Sequence, residues 1–260
     1  MATNRELYVL ASRNQAAMAR VEDLLIRDST KVLTKAKDLP QQELGAFLRL
    51  YTPSLIEKHG NISAAGALTY YQERYALYRA GLSRGVSARA AAAALEGATY
   101  AARIPKFNPT ALAEGVINYG MSSFATGGFS RMESAVTSSL TRAVAGYNRD
   151  TILYNSALDP GVITVQRVAE ADSCAFCQLM AFSSSRSASG SGLAVRTGQY
   201  AVDFHDRCRC TIETLYQGDS PIRPPYYDKF EQSYTDATLE VGSSNTKDVV
   251  AAMRVVGGTN

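Results

Sequence analysis

The chain has 260 residues, 46% of them hydrophobic and 20% charged, with a formal net charge of +3. That is ordinary globular composition and excludes a disordered tail, a collagen or a coiled rod. There is no apolar run long enough for a membrane span, and MATNRELYVL lacks the basic-then-apolar layout of a secretory signal, so a soluble protein made in a cytosol is expected.

Residues 1–158 read as helical. Leu7, Leu10, Ala17, Val21 and Leu24 recur at helical spacings, and Pro40 closes that segment or opens the next. A second helix carries Leu44, Phe47, Leu48 and Tyr51. Pro53 should interrupt it, and His59-Gly60 should end it, since glycine tolerates the left-handed conformation of a helix end. Ser63 is placed to cap a third helix with the stripe Leu68, Tyr71, Tyr75, Tyr78 and Leu82; Gly85 breaks it and Ser87 restarts it through Ala88–Ala94. Asn108-Pro109 is a cap followed by proline at the first helical position. Gly127-Gly128 separates that helix from a long one carrying Phe129, Met132, Val136, Leu140, Val144, Tyr147, Thr151 and Tyr154, which Asp159-Pro160-Gly161 stops.

Beyond residue 160 the character changes. GVITVQRV (161–168) is β-branched and short and reads as a strand. Residues 182–193 are serine- and glycine-rich and read as a flexible loop. Val195–Phe204 and Arg209–Tyr216 read as strands, Pro221, Pro224 and Pro225 end the β region, and helices are expected from Tyr227 to Leu239 and after Thr246, the last with Val249, Val250, Met253 and Val256. The fold class is therefore α+β, a mainly α-helical domain (1–160) followed by a small β-rich module with C-terminal helices (161–260). The basic excess lies in the first part, and the second is slightly acidic, which allows contact with nucleic acid without demanding it.

The rare residues carry the chemistry. All four cysteines and one of the two histidines fall between positions 174 and 210. Cys174-Ala-Phe-Cys177 presents two sulfurs from one tight turn; after 27 residues His205-Asp-Arg-Cys208-Arg-Cys210 presents a second pair. Tetrahedral zinc takes four nitrogen or sulfur ligands. If 208–210 is extended, Cys208 and Cys210 point to opposite faces and only one can ligate. The favoured set is Cys174, Cys177, His205 and Cys208, with Cys210 as the alternative fourth ligand in a four-cysteine site. Pairing within CxxC or CxC would strain small disulfide rings, and cytosolic origin disfavours bridges. A redox CxxC needs its first sulfur at a helix N-terminus, and QLMAFSSS is a poor helix. A closed sulfur–nitrogen site is a structural Zn2+ staple, contributing on the order of 10 kcal/mol to folding a part too small to hold itself.

Enzyme templates fail. The chain has no GxSxG, P-loop or HExxH, and Arg207 stands where a zinc deaminase needs its glutamate. His59 reads as a capping or surface residue. Arg74, Arg79 and Arg84, interleaved with Tyr70, Tyr71, Tyr75 and Tyr78, are weak candidates for contact with nucleic acid or a partner; the competing reading is an amphipathic helix with half-buried tyrosines and solvated arginines.

The CxxC…HxxCRC arrangement, preceded by a strand and Arg167, resembles the MuF-like (phage Mu F-type) minor head proteins of tailed bacteriophages. His59-Gly60-Asn61 through Ala64-Ala65 to TYYQERYALYR is similar to the helical part of actinobacteriophage members, a group often labelled capsid maturation protease, and DVVAAMRVV is similar to their tails. Many relatives place prolines beside the histidine, where this chain has Asp203-Phe204-His205-Asp206. The resemblance implies a non-enzymatic virion protein inside the capsid, reached from the host cytoplasm during assembly. It would be present in several copies on the portal protein, would face the major capsid protein's inner surface and packaged double-stranded DNA, and would aid assembly, packaging or ejection. The alternatives are a capsid maturation protease and a zinc-dependent DNA-binding protein.

Overall fold

A computed structural model describes residues 4–85, 100–188, 204–205, 208–243 and 245–256. The expected restart at Ser87 and most of the expected strand Val195–Phe204 lie outside these residues. In chain order the elements are α1 (Asn4–Ala36), α2 (Gln41–Gly85), α3 (Pro109–Leu158), β1 (Val162–Val168), α4 (Ala175–Ala188), β2 (Thr211–Tyr216), α5 (Tyr227–Val241) and α6 (Thr246–Val256). The architecture is α+β. No helix among the described residues is long and apolar enough to cross a membrane.

α1 buries Leu7, Ala11, Asn14, Met18, Val21 and Leu25, at alternating steps of four and three. The stripe thus passes through Met18 and Leu25, while Leu24 is exposed.

α2 corrects the expected break. It runs without interruption through Pro53, His59-Gly60 and Ser63. The reason is tertiary. Leu44, Leu48, Thr52, Ile56, His59, Ser63, Ala67, Tyr70 and Arg74 are buried on both sides of the local stop signals, so one continuous face is covered. Gly60 is a packing residue here, not a cap. A Cβ on it would sit 2.7 Å from the Tyr147 ring, so α2 and α3 approach at that point closer than any side chain allows.

α3 is a helical hairpin. Its N-terminus is as expected: Pro109 occupies the first turn, and Asn108 Oδ1 accepts the Ala111 amide at 3.0 Å. At Gly127-Gly128 the backbone leaves helical geometry, and Gly128 takes φ 68, which favours glycine. A Cβ on Gly120 would meet Val136, sixteen residues on. A straight helix would hold them roughly 24 Å apart, so limbs 109–126 and 129–158 fold back on each other. Met132, Val136, Leu140, Val144 and Tyr147 then close a core with Val21, Leu25, Leu48, Ile56, Val116 and Ile117.

β1 and β2 form an antiparallel pair, Val168 opposite Thr211 and Val165 opposite Thr214, with an irregularity at Ile163. Every β2 residue is buried. One apolar cluster joins Val165 and Ile212 to Leu10, Ala67, Tyr71 and Ile152; another joins Val168 and Leu215 to Leu7 and Ile222. The sheet is therefore wedged against the helices. α4 extends to Ala188, which corrects the flexible loop expected from Phe182; its first half packs Ala175, Leu179 and Met180 against Ala237, Val249, Val250 and Met253 of α5 and α6. Residues 189–193 lie outside those described. Asn245, not Thr246, caps α6, its Oδ1 accepting the Lys247 amide at 2.9 Å.

Candidate metal centre

The two half-motifs meet. Cys174 stands immediately before α4, its carbonyl accepting the Gln178 amide at 3.0 Å, and Cys177 lies in the first turn. The Cys208 amide reaches the His205 carbonyl at 3.2 Å. His205 Nε2 lies 3.1 Å from Cys174 Sγ and 3.0 Å from Cys177 Sγ; Cys177 Sγ lies 3.4 Å from Cys208 Sγ. Ligand atoms of Cys174, Cys177 and His205, and of Cys177, Cys208 and Cys210, fall within 4.8 Å of one another. Sulfurs around one tetrahedral zinc stand roughly 3.8 Å apart. The two groups share Cys177, and the cluster could hold a metal. All four thiols are free, so no disulfide competes.

Two expectations need correction. Cys210 does not turn away. The stretch 208–210 is not part of a strand, since β2 begins at Thr211, and Cys210 is buried beside Cys177 and Cys208. And α4 does begin at the CxxC, so the poor-helix objection to a redox role fails. What sets the cluster apart from a bare CxxC is the convergence of His205, Cys208 and Cys210 on Cys177.

The electrostatics divide the sulfurs, favouring the thiolate at Cys174 and Cys208 and the thiol at Cys177 and Cys210. The hydrogen bond with Cys177 and the neighbouring His205 hold the Cys174 thiol at about 4. Cys177, crowded by the sulfurs of Cys174, Cys208 and Cys210, is pushed far up. Contacts with Cys177 and Cys210, aided by Arg149 and Arg167, pull Cys208 down. Beside the cluster opens a cleft of about 260 Å³, lined also by Glu22, Glu170, Asp172 and Arg209. Burial raises the Glu170 carboxyl, and Arg209 pairs with Glu22 at 3.0 Å.

The sequence matches the family described as VG15 protein over residues 8–237, a span that begins in α1, ends in α5 and contains all five donors. The chain belongs to the VG15 protein family. That makes it a phage protein. No curated protein and no solved structure gives a significant match.

In this VG15-family chain the tyrosine–arginine helix faces inward. Arg74 is buried and pairs with Asp219, and its Nε donates to the Thr214 carbonyl at 3.1 Å. It is therefore not available to nucleic acid. Residue 74 follows Tyr70 and Tyr71 by one helical turn and shares the face that meets the sheet. Tyr70 donates to Glu213, and the Tyr71 and Tyr216 hydroxyls both reach Asp159 Oδ2, at 3.0 and 2.9 Å. Arg79 is half-buried, its guanidinium 5.9 Å from the Tyr75 ring centre. The Arg84 side chain lies outside those described. His59 is likewise interior, with Nε2 3.1 Å from Asp28 Oδ2, correcting the capping or surface reading. Burial lowers its imidazole pKa, against the pull of Asp28.

Sequence reasoning missed Arg149. It lies between Ala145 and Ile152 at apolar spacing, a cation inside a buried stripe, and that pattern was the available signal.

Proposed function

We propose that this VG15-family protein is a non-enzymatic, MuF-like minor capsid protein of a tailed phage. It acts inside the head on the portal protein, near the major capsid protein's inner face and the packaged DNA. A structural Zn2+ staples its C-terminal part. The observation that carries the reading is the donor count. Cys174, Cys177, His205, Cys208 and Cys210 offer five donors to an ion that takes four, leaving no position for a reacting water. Zinc supplies the cross-link; the chain's own residues do the rest, with the start of α4 presenting two sulfurs and His205 and Cys208 forming the second pair. Both histidines are committed, one to Asp28 and one to the cysteines, which argues against a histidine-based protease. The carboxylates of the adjacent cleft argue against phosphate binding at that face.

Two measurements test this. Purified protein should carry one zinc per chain by elemental analysis. The protein should co-purify with portal from infected cells and be present in mature particles. Absence from particles, together with major capsid protein trimmed only when this chain is present, would establish the protease reading instead.

A further inference from the structure

The arginine on α3 that grips the second half of the ligand motif has a role beyond packing. Arg149 is 2% exposed. Its Nε donates to the Cys210 carbonyl at 2.9 Å, and its Nη2 donates to the Cys208 carbonyl. Its guanidinium lies over the Phe204 ring, 3.8 Å from the centroid. One side chain therefore touches the residue before His205 and both terminal cysteines. One planar fork thus holds the carbonyls of both cysteines whose sulfurs lie beside Cys177. The sulfurs of Cys208, Cys210 and Cys177 lie close enough to act on the Arg149 charge.

We propose that Arg149 is the positioning residue of the metal centre: by holding Phe204 and the Cys208 and Cys210 carbonyls, it shapes the second half of the ligand set and ties metal binding to the docking of α3. This rests on the metal reading above, and the experiment separates the two. Zinc affinity is measured on the full chain by competition with a chromophoric chelator, and the coordination geometry by the visible absorption of the cobalt-substituted protein. Three proteins are compared: wild type, Arg149→Lys, which keeps the charge and loses the fork, and Tyr71→Phe, which loses a buried hydrogen bond to Asp159 away from the cysteines.

The expected result is a 10- to 100-fold weaker affinity for Arg149→Lys, with an altered cobalt spectrum. Tyr71→Phe should bind as wild type, though it melts lower. If Arg149→Lys binds and absorbs like wild type, the positioning role is wrong and the metal site stands. If both variants lose affinity alike, Arg149 acts only through general stability and the proposal is overturned. If wild type takes up no zinc or cobalt, the metal reading falls and takes this one with it. Should Arg149→Lys fail to fold, Phe204→Leu carries the test: a few-fold loss supports the proposal, and wild-type affinity overturns it.

Discussion

The α2–α3 stack and the C-terminal part are held together by opposite means. In the stack, buried leucines, valines and glycines meet across long helices, and each helix turn contributes a similar small share. In the C-terminal part a two-stranded sheet and three shorter helices are organised around thiols and buried carboxylates, met by two buried arginines that α2 and α3 contribute. Apolar burial is distributed and tolerant. A polar or metal-centred core concentrates its stabilisation in few groups, and losing one leaves the others unsatisfied. The first region should weaken by degrees, and the second should fail at single residues.

Metal removal draws that contrast most sharply. A structural zinc supplies on the order of 10 kcal/mol. Chelation, or Cys177→Ser at the sulfur that meets the other three, should release amide protection in α4 and α5 by hydrogen exchange while limb 129–158 stays protected. Uniform loss would erase the distinction between the regions. Next in size is Glu213. Burial pushes its carboxyl from the ordinary 4.5 to about 7, against the opposing hydrogen bonds of Tyr70 and Thr211. A folded pKa above the unfolded one stabilises at low pH, so stability falls as pH rises from about 4.5, and the loss is complete once pH passes about 7. Its size is about 3 kcal/mol. Glu213→Gln should lack that slope in metal-saturated protein, compared with wild type by melting at pH 5.5 and 7.5; parallel slopes would remove Glu213 from the polar core.

Smaller effects probe the stack. Gly60→Ala drives a methyl into the Tyr147 ring and should cost about 1–3 kcal/mol by urea unfolding. Gly66→Ala, six residues on and with nothing within 4 Å of the new methyl, should stabilise by up to about 1 kcal/mol. Equal effects at 60 and 66 would show that the helices do not approach there.

The same contrast explains what was legible in the sequence. The stripe Met132, Val136, Leu140, Val144 and Tyr147 is read from spacing because each residue is buried for itself. The start at Asn108-Pro109 and the break at Gly127-Gly128 are legible because they depend on local capping and backbone geometry alone. Pro53 and His59-Gly60 misled because a continuous buried face outweighs local preference. The cysteine and histidine ligand candidates stood out by rarity and clustering. The position of Cys210, and the inward turn of Arg74, depend on partners more than 50 residues away along the chain, Arg149 for one and Asp219 for the other. No local window contains that information.

The buried cations on the long helices have a consequence for synthesis. Tyr70, Arg74 and Arg149 leave the ribosome well before Glu213, Asp219 and the Cys208 and Cys210 carbonyls that satisfy them. Until those residues emerge, the nascent helices carry polar groups with no partner to bury them against, at a cost of several kcal/mol for an unpaired buried charge. The long helices can therefore complete their buried polar contacts only after residues 208–219 have emerged.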